Sequence, residues 1–547
     1  MERAMPSPAE NPLTGPEPRS LASESATTVA PLRGVHTAVL ATAAVSALAA
    51  HTFFGIGFGP LLSLAPVAGL IAALCCDDLL GGAAAGGLSV VAGTLLAQLA
   101  YARALPGPDS GWLAVLPGGW PANAIAAVVL AALVGAAAIW LKERSPRFPV
   151  LLAGLAVALV VLAGLMNGLA AASLVQDAQF VSGVRNTGLP LTQALVVHPT
   201  QTAESLDETL YLIVVQKMHA GAGFYPTIVQ ALADSNRVHT DGQVRLNLPV
   251  SYRMPTVYWL LSRLPEDGGS LVLAALLLGA AAAVAAYLLG RQFVSAAWAL
   301  VGCAAISSYA ATVGASAGLL YVEYWTGLLG VIAVAFFAAA RGSTRRVLAM
   351  QIAAAAVATL AALTRELAIP FLIAGLIAVL ADPVLRHVRA WIPWLTGLAA
   401  TGVAYAVHWR LALAAFASSG VPNGVVPARS RFPWFHPDGS GLFASMKLIR
   451  MTLHFNVIAI YVVLALAVVG IVLLPNGRGT RIMLALIGVV GVGLLAIVRA
   501  VGTDQITGEP AGYWGLVVVP VALACLPLVV SRLVPRRDER EPATRTA

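Results

Sequence analysis

FPVLLAGLAVALVVLAGLMNGLAAASL, residues 148–174, is an unbroken apolar run with no ionisable side chain. About 20 such residues, as a helix, cross a hydrocarbon core of about 30 Å. The run is preceded by KERSPR at 142–147, a short basic link, and before that by a second apolar run. The same alternation of apolar run and short link repeats along most of the 547 residues. Hydrophobic residues make up 59% and charged residues 11% of the chain, against about 25% charged in a soluble domain. Mean hydropathy is +0.83. The fold class expected is therefore an all-α polytopic membrane protein.

Spans are expected at roughly 37–55, 58–76, 79–101, 122–141, 148–174, 271–290, 296–313, 319–340, 346–364, 367–382, 391–408, 452–474, 481–499 and 513–532, about fourteen helices. Residues 1–34, rich in Pro, Ser, Glu and Ala, read as a disordered tail rather than a signal peptide, because no apolar segment begins until about residue 36. The four cysteines, Cys75, Cys76, Cys303 and Cys525, lie in or at the ends of apolar runs and read as small core residues. The formal charge of +8 does not point to nucleic acid. Its basic residues sit largely in short links: Lys142, Arg144 and Arg147; Arg341, Arg345 and Arg346; Arg386 and Arg389; Arg478 and Arg481; then Arg536, Arg537 and Arg540 after the last span. With fourteen spans these fall on one side together with Arg33, and the positive-inside tendency makes that side cytoplasmic. The pair Asp77–Asp78 reads as a link on this side.

The opposite side receives four polar segments, at about 102–121, 175–270, 409–450 and 500–512. The longest contains ESLDETLYLIVVQKMHAGAGFY, residues 204–225, where carboxylates, a Lys, Tyr residues and Gly residues crowd together. Leu206, Leu210, Val214 and Met218 recur every four residues, which predicts an amphipathic helix lying along the membrane surface. Asp207 and Tyr211 share an adjacent face of it. On the same side, Glu323 sits in GLLYVEYWTGLLG, Arg365 and Glu366 separate two apolar runs, Arg253 precedes a Met-Pro, and His408 and Arg410 close a span. Ionisable groups near membrane depth are costly, and they usually face a cavity or a partner.

Taken singly, each has a plain structural explanation. Arg365–Glu366 serves equally well as an interfacial pair ending a helix hairpin, and Arg253 as an ordinary interfacial Arg. Glu323 alone fits a structural hydrogen-bonder. Asp207 and Glu208 fit helix N-terminal acids, and Lys217 a solvated or snorkelling side chain. The His residues show no paired metal spacing, so no metal site is expected. The gathering of all these charges on one side is what raises a functional reading above the single explanations.

Asp207-Glu208-Thr209-Leu210-Tyr211, followed by Gly221-Ala222-Gly223-Phe224-Tyr225, resembles the first extracytoplasmic loop of the GT-C glycosyltransferases. That superfamily includes protein O-mannosyltransferases, lipid A aminoarabinose transferases and mycobacterial arabinosyl- and mannosyltransferases. Arg253-Met254-Pro255-Thr256-Val257-Tyr258-Trp259 is similar to the family's Pro-containing segment that closes this loop. Glu323 in Glu-Tyr-Trp and the triplet Thr364-Arg365-Glu366 match further recurrent acidic and Arg-Glu positions. The resemblance covers roughly residues 148–410. Its motifs are short. About four spans precede the catalytic loop where family members often have one, and there is no large C-terminal soluble domain.

What the resemblance implies is a GT-C-like bundle with juxtamembrane helices in its loop, moving a sugar from a polyprenyl phosphate to an acceptor hydroxyl on the extracytoplasmic face of the plasma membrane. It implies Asp207 as general base and an inverting displacement. Arg253, Arg365 and Lys217 become candidates for the donor phosphate. Glu208, Glu323 and Glu366 become candidates for orienting an Arg or binding sugar, and Tyr211, Tyr225, Tyr258 and Trp259 for lining the pocket or sitting at the membrane interface, the interface being the better place for Trp259. The loop at 409–450, with Arg429, Arg431, Trp434, Phe435 and His436, stands as a possible cover. Partners would be the lipid-linked donor, a glycan, lipid or protein acceptor, and the bilayer. No particular cofactor is implied, and a divalent cation stays open. The chain would then divide into a tail at 1–34, N-terminal helices at 35–147, a catalytic core at 148–410 with its loop at 175–270, C-terminal helices at 411–532, and a tail at 533–547. The competing expectations are a transporter or lipid flippase, and a non-catalytic scaffold or receptor.

Overall fold

A computed structural model describes residues 30–51, 59–104, 120–145, 147–175, 206–234, 252–265, 268–314, 317–340, 344–421, 457–474, 478–497 and 513–531. Among these residues every regular element is helical. In chain order they are α1 (Ala30–His51), α2 (Gly59–Cys75), α3 (Leu79–Ala104), α4 (Trp120–Arg144), α5 (Phe148–Val175), α6 (Leu206–His219), α7 (Phe224–Asp234), α8 (Thr256–Leu261), α9 (Gly268–Arg291), α10 (Ala296–Gly314), α11 (Val322–Ala338), α12 (Thr344–Thr364), α13 (Ile369–Ala381), α14 (Pro383–His387), α15 (Trp391–Ser419), α16 (Val457–Leu473), α17 (Arg478–Ile497) and α18 (Val519–Cys525).

Among the described residues, five helices are long and apolar enough to cross a bilayer, over Ile125–Arg144, Phe148–Met166, Gly269–Arg291, Ala296–Gly314 and Thr344–Thr364, and several shorter apolar helices stand beside them. The outward faces of the bundle are apolar too. Leu151 and Leu155 of α5, Leu277 and Leu288 of α9, Val403 and Val407 of α15, and Val468 and Val472 of α16 are all exposed. So much exposed aliphatic surface suits lipid and not water. The chain is a multi-pass membrane protein.

Each apolar run contains helix, with three departures from the expected spans. Helix α1 begins at Ala30 rather than near residue 37. Helix α15 does not stop at residue 408. The Leu- and Ala-rich stretch after it carries the helix to Ser419, where Gly420, at φ +67°, closes it in the left-handed conformation that suits Gly. The last run is broken into a 3-10 turn at Tyr513–Val517, α18, and a second 3-10 turn at Leu526–Val530. Pro520 and Pro527 stand at the starts of the latter two pieces, where a ring without an N–H is tolerated.

Helix α10 is the centre of the bundle. Every residue from Ala299 to Gly314 is buried, and α1, α2, α5, α9 and α18 all pack on it. Without a hydrophobic drive between helices in lipid, close packing of small residues must supply the attraction. In α2–α4 this is visible at Gly69 and Gly86, where an added Cβ would fall 2.6 Å from the Ala131 carbonyl oxygen of α4. On the other side of α10 the lock is polar. The buried Tyr324 hydroxyl of α11 lies 3.1 Å from the Ala275 oxygen of α9 and 3.0 Å from the Ala310 oxygen of α10.

The links fall at two ends. Lys142 Nζ, in the last turn of α4, lies 3.1 Å from both the Cys76 carbonyl oxygen and Asp77 Oδ1, so the α2–α3 and α4–α5 links share one end. Asp78 accepts from Gly81 N at 2.6 Å and starts α3, and Asp382 accepts from Val384 N at 3.0 Å and starts α14. Helices α6, α7 and α8 form a small platform at the end that carries the links into α11 and out of α12. Helix α7 rests on α15, α8 on the end of α12, and α6 beside the 3-10 turn Ala317–Leu320 that leads into α11. The tails, and most of the loops expected at 102–121, 409–450 and 500–512, lie outside the described residues. So do Arg429, Arg431, Trp434, Phe435 and His436.

Candidate functional site

The platform is built by local rules. Helix α6 ends in a Schellman turn: Ala222 N donates to Lys217 O at 2.9 Å and Gly221 N to Met218 O at 3.0 Å, with Gly221 at φ +96°. The Gly-Ala-Gly of the loop motif is thus the device that reverses the chain between α6 and α7. The buried face of α6 is Tyr211, Val214 and Val215, which shifts it toward Tyr211 from the stripe expected through Val214 and Met218. The cause is aromatic. Tyr211 packs on Tyr258 with ring centroids 5.5 Å apart, and Phe224 of α7 packs on the same ring at 5.4 Å. His219 Nδ1, at the foot of α6, is 3.0 Å from the Ser262 oxygen just past α8.

Behind the platform lies the charge cluster. An α-helix leaves its last four carbonyls without intrahelical partners. At the end of α12, Leu363 O accepts from Thr256 Oγ1 of α8 at 2.6 Å, and Ala362 O from the Tyr405 hydroxyl of α15 at 3.0 Å. The chain then turns extended at Arg365, with φ −151° and ψ 131°. The guanidinium of Arg365 is sealed, with the residue 0% exposed. Its Nε lies 2.8 Å from Glu323 Oε1 and its Nη1 2.9 Å from Glu366 Oε1. Glu323 is in the first turn of α11, where the helix dipole favours a carboxylate. A charge this deeply buried persists only when paired, and here one Arg holds two acids from different elements.

Arg253, half-buried on the strand of chain entering α8, donates through Nε to the Tyr211 hydroxyl at 3.3 Å. It lies within electrostatic reach of both Glu323 and Glu366. On the α15 side, the Tyr225 hydroxyl and His408 Nδ1 are 3.1 Å apart, and His408 also hydrogen-bonds the backbone of Tyr252. Burial pushes the Tyr252 hydroxyl up to about 12 and raises those of Tyr225 and Tyr258 as well. All three stay protonated at neutral pH.

Of the residues singled out in the sequence, Tyr211, Arg253, Glu323, Arg365 and Glu366 come together, and Tyr225 joins them through His408. Asp207 and Glu208 stand in the first turn of α6, with Asp207 one turn before Tyr211 on the same face. Their side chains lie outside the described set. Lys217 is exposed. Six residues on from Tyr211, it is about 120° around the helix and does not share that face. Arg410 is exposed on α15. Thr256 and Tyr405 matter to the geometry and had not been singled out for the site, and His408 had been named only as closing a span. The signal for the last two was present, since a three-residue spacing puts both on one helical face, and their rings are 6.3 Å apart. Among the described residues, no three His, Cys, Asp or Glu side chains gather as metal ligands.

No family model, curated protein or solved structure matches the chain.

Proposed function

We propose that this membrane protein is a glycosyltransferase of the GT-C type, moving a sugar from a polyprenyl-phosphate donor to an acceptor hydroxyl on the extracytoplasmic side. The observation that carries the reading is the joining of Arg253, Glu323, Arg365 and Glu366 at one end of the bundle, directly behind the helix that bears Asp207. Such a transfer needs a base for the attacking hydroxyl and a cation for the leaving phosphate. Asp207 is the base in this reading, and a single displacement inverts the anomeric centre. Arg253 is the better phosphate ligand, being half-buried, whereas Arg365 is enclosed by two carboxylates and acts by fixing the floor of the site. The Arg fork matches phosphate geometry better than a Lys does. The termini and the basic links are cytoplasmic, the membrane is the plasma membrane, and the polyprenyl tail of the donor stays in the bilayer.

A transporter or lipid flippase is the competing reading. Transporter sites usually lie near the bilayer midplane, between repeats. Glu323 stands in the first turn of α11 and Arg365 just past the last turn of α12, at helix ends and not at their middles, which favours the enzyme.

The test is purified protein with a panel of polyprenyl-phosphate sugars, comparing wild type with Asp207→Asn. The expected result is a loss of turnover on the order of 10²- to 10⁴-fold. Equal turnover by a folded variant removes the base assignment, and no transfer by wild type from any donor sinks the reading.

A further inference from the structure

Among the described platform residues, Tyr258 alone has a polar atom left over. It is 1% exposed, and its hydroxyl has no hydrogen-bond partner among the described residues. Its ring is wedged between Tyr211 and Phe224, so the side chain is held and cannot swing out to water. A buried hydroxyl without a partner is destabilising, and it calls for an explanation. Its neighbours narrow that explanation. Arg253, Arg365, Glu323 and Tyr211 are the groups whose charges it feels. Glu323 is engaged with Arg365, and the Tyr211 hydroxyl accepts from Arg253. A phenol buried this deeply keeps its proton, so what remains is a fixed donor within electrostatic reach of Arg253 and Arg365.

We propose that the Tyr258 hydroxyl donates its proton to an anionic oxygen of a bound phosphate, beside Arg253, and is thereby a binding residue for the phosphate-bearing substrate. This rests on the donor class named above. The position suits an anion: the half-buried Arg253 offsets its charge, and a neutral donor adds a hydrogen bond to it. A donor held rigid before binding loses little entropy when the ligand arrives.

The experiment compares wild type, Tyr258→Phe and Arg253→Gln in detergent, reading both thermal unfolding and binding of farnesyl phosphate, farnesol and inorganic phosphate. Tyr258→Met serves as a second variant should Phe not purify. The expected result is a Tyr258→Phe protein as stable as wild type, or more so, that binds farnesyl phosphate about tenfold more weakly, because hydrogen bonds to charged groups are the strong ones, with farnesol binding unchanged. Tyr258→Phe binding equal to wild type, while Arg253→Gln binds more weakly, overturns the role of the hydroxyl and leaves the donor class standing. Inorganic phosphate bound as tightly as farnesyl phosphate, with the same dependence on Tyr258, supports the contact but overturns the lipid donor. No preference for farnesyl phosphate over farnesol, and no phosphate binding, overturns both.

Discussion

Two helix ends in this protein are closed by side chains from elsewhere, and they are closed in opposite ways. At the end of α2, Lys142 reaches over from α4 to the carbonyl of Cys76 and pairs with Asp77, with the two side chains 23% and 55% exposed. At the end of α12, Thr256 and Tyr405 take the carbonyls, and Arg365 pairs with Glu323, both side chains 1% exposed. The first arrangement is wet. Water screens the charges, and such pairs contribute about 0–1 kcal/mol. The second is dry at its centre, where Arg365 and Glu323 are sealed from water and each needs the other. One end is a topological staple, and the other is a constrained site. Desolvation of this kind is offset only when the buried charges are fully paired.

The sharpest way to break this contrast is at Arg365. Replacing it with Met leaves Glu323 buried without its cation and should lower stability by about 3–5 kcal/mol, read as thermal unfolding in detergent. Adding Glu323→Leu should recover much of that loss, because an apolar pair replaces the ion pair. A double variant no better than the single would show that the pair is not one unit. Thr256→Val is milder. It removes the donor to Leu363 O and should cost about 1–2 kcal/mol, while loosening the contact between α8 and α12. Lys142→Met should cost less than about 1 kcal/mol, with high salt weakening the wild-type advantage. If the Lys142 variant proved as damaging as the Arg365 variant, the distinction between the two ends would fall.

The apolar runs made most of the helices legible, because hydropathy over about 20 residues is a long-range average that local detail cannot disguise. Where the reading slipped, local chemistry had overruled the average. Pro520 and Pro527 interrupt a run that is uniformly apolar, and the Ala-rich stretch after Arg410 extends a helix past the point where polar residues suggested its end. The gathering of charge at one end was legible as a set of residue types, but the partnerships were not. Arg365 finds Glu323 from 42 residues away, and Tyr225 finds His408 from 183 residues away. Neither separation leaves a local periodicity to read. The orphan hydroxyl of Tyr258 was invisible for the same reason, since a missing partner is a property of three-dimensional surroundings alone.

The buried pair has a consequence for how the protein is made. Glu323 begins α11, and Arg365 follows α12, so the acid leaves the ribosome well before the base that will neutralise it. Until α12 has entered the bilayer, that acid must wait at the lipid headgroups, where water is still in reach. Closure of this end is therefore a late event of biogenesis, set by the arrival of the next helix and not by the insertion of α11 itself.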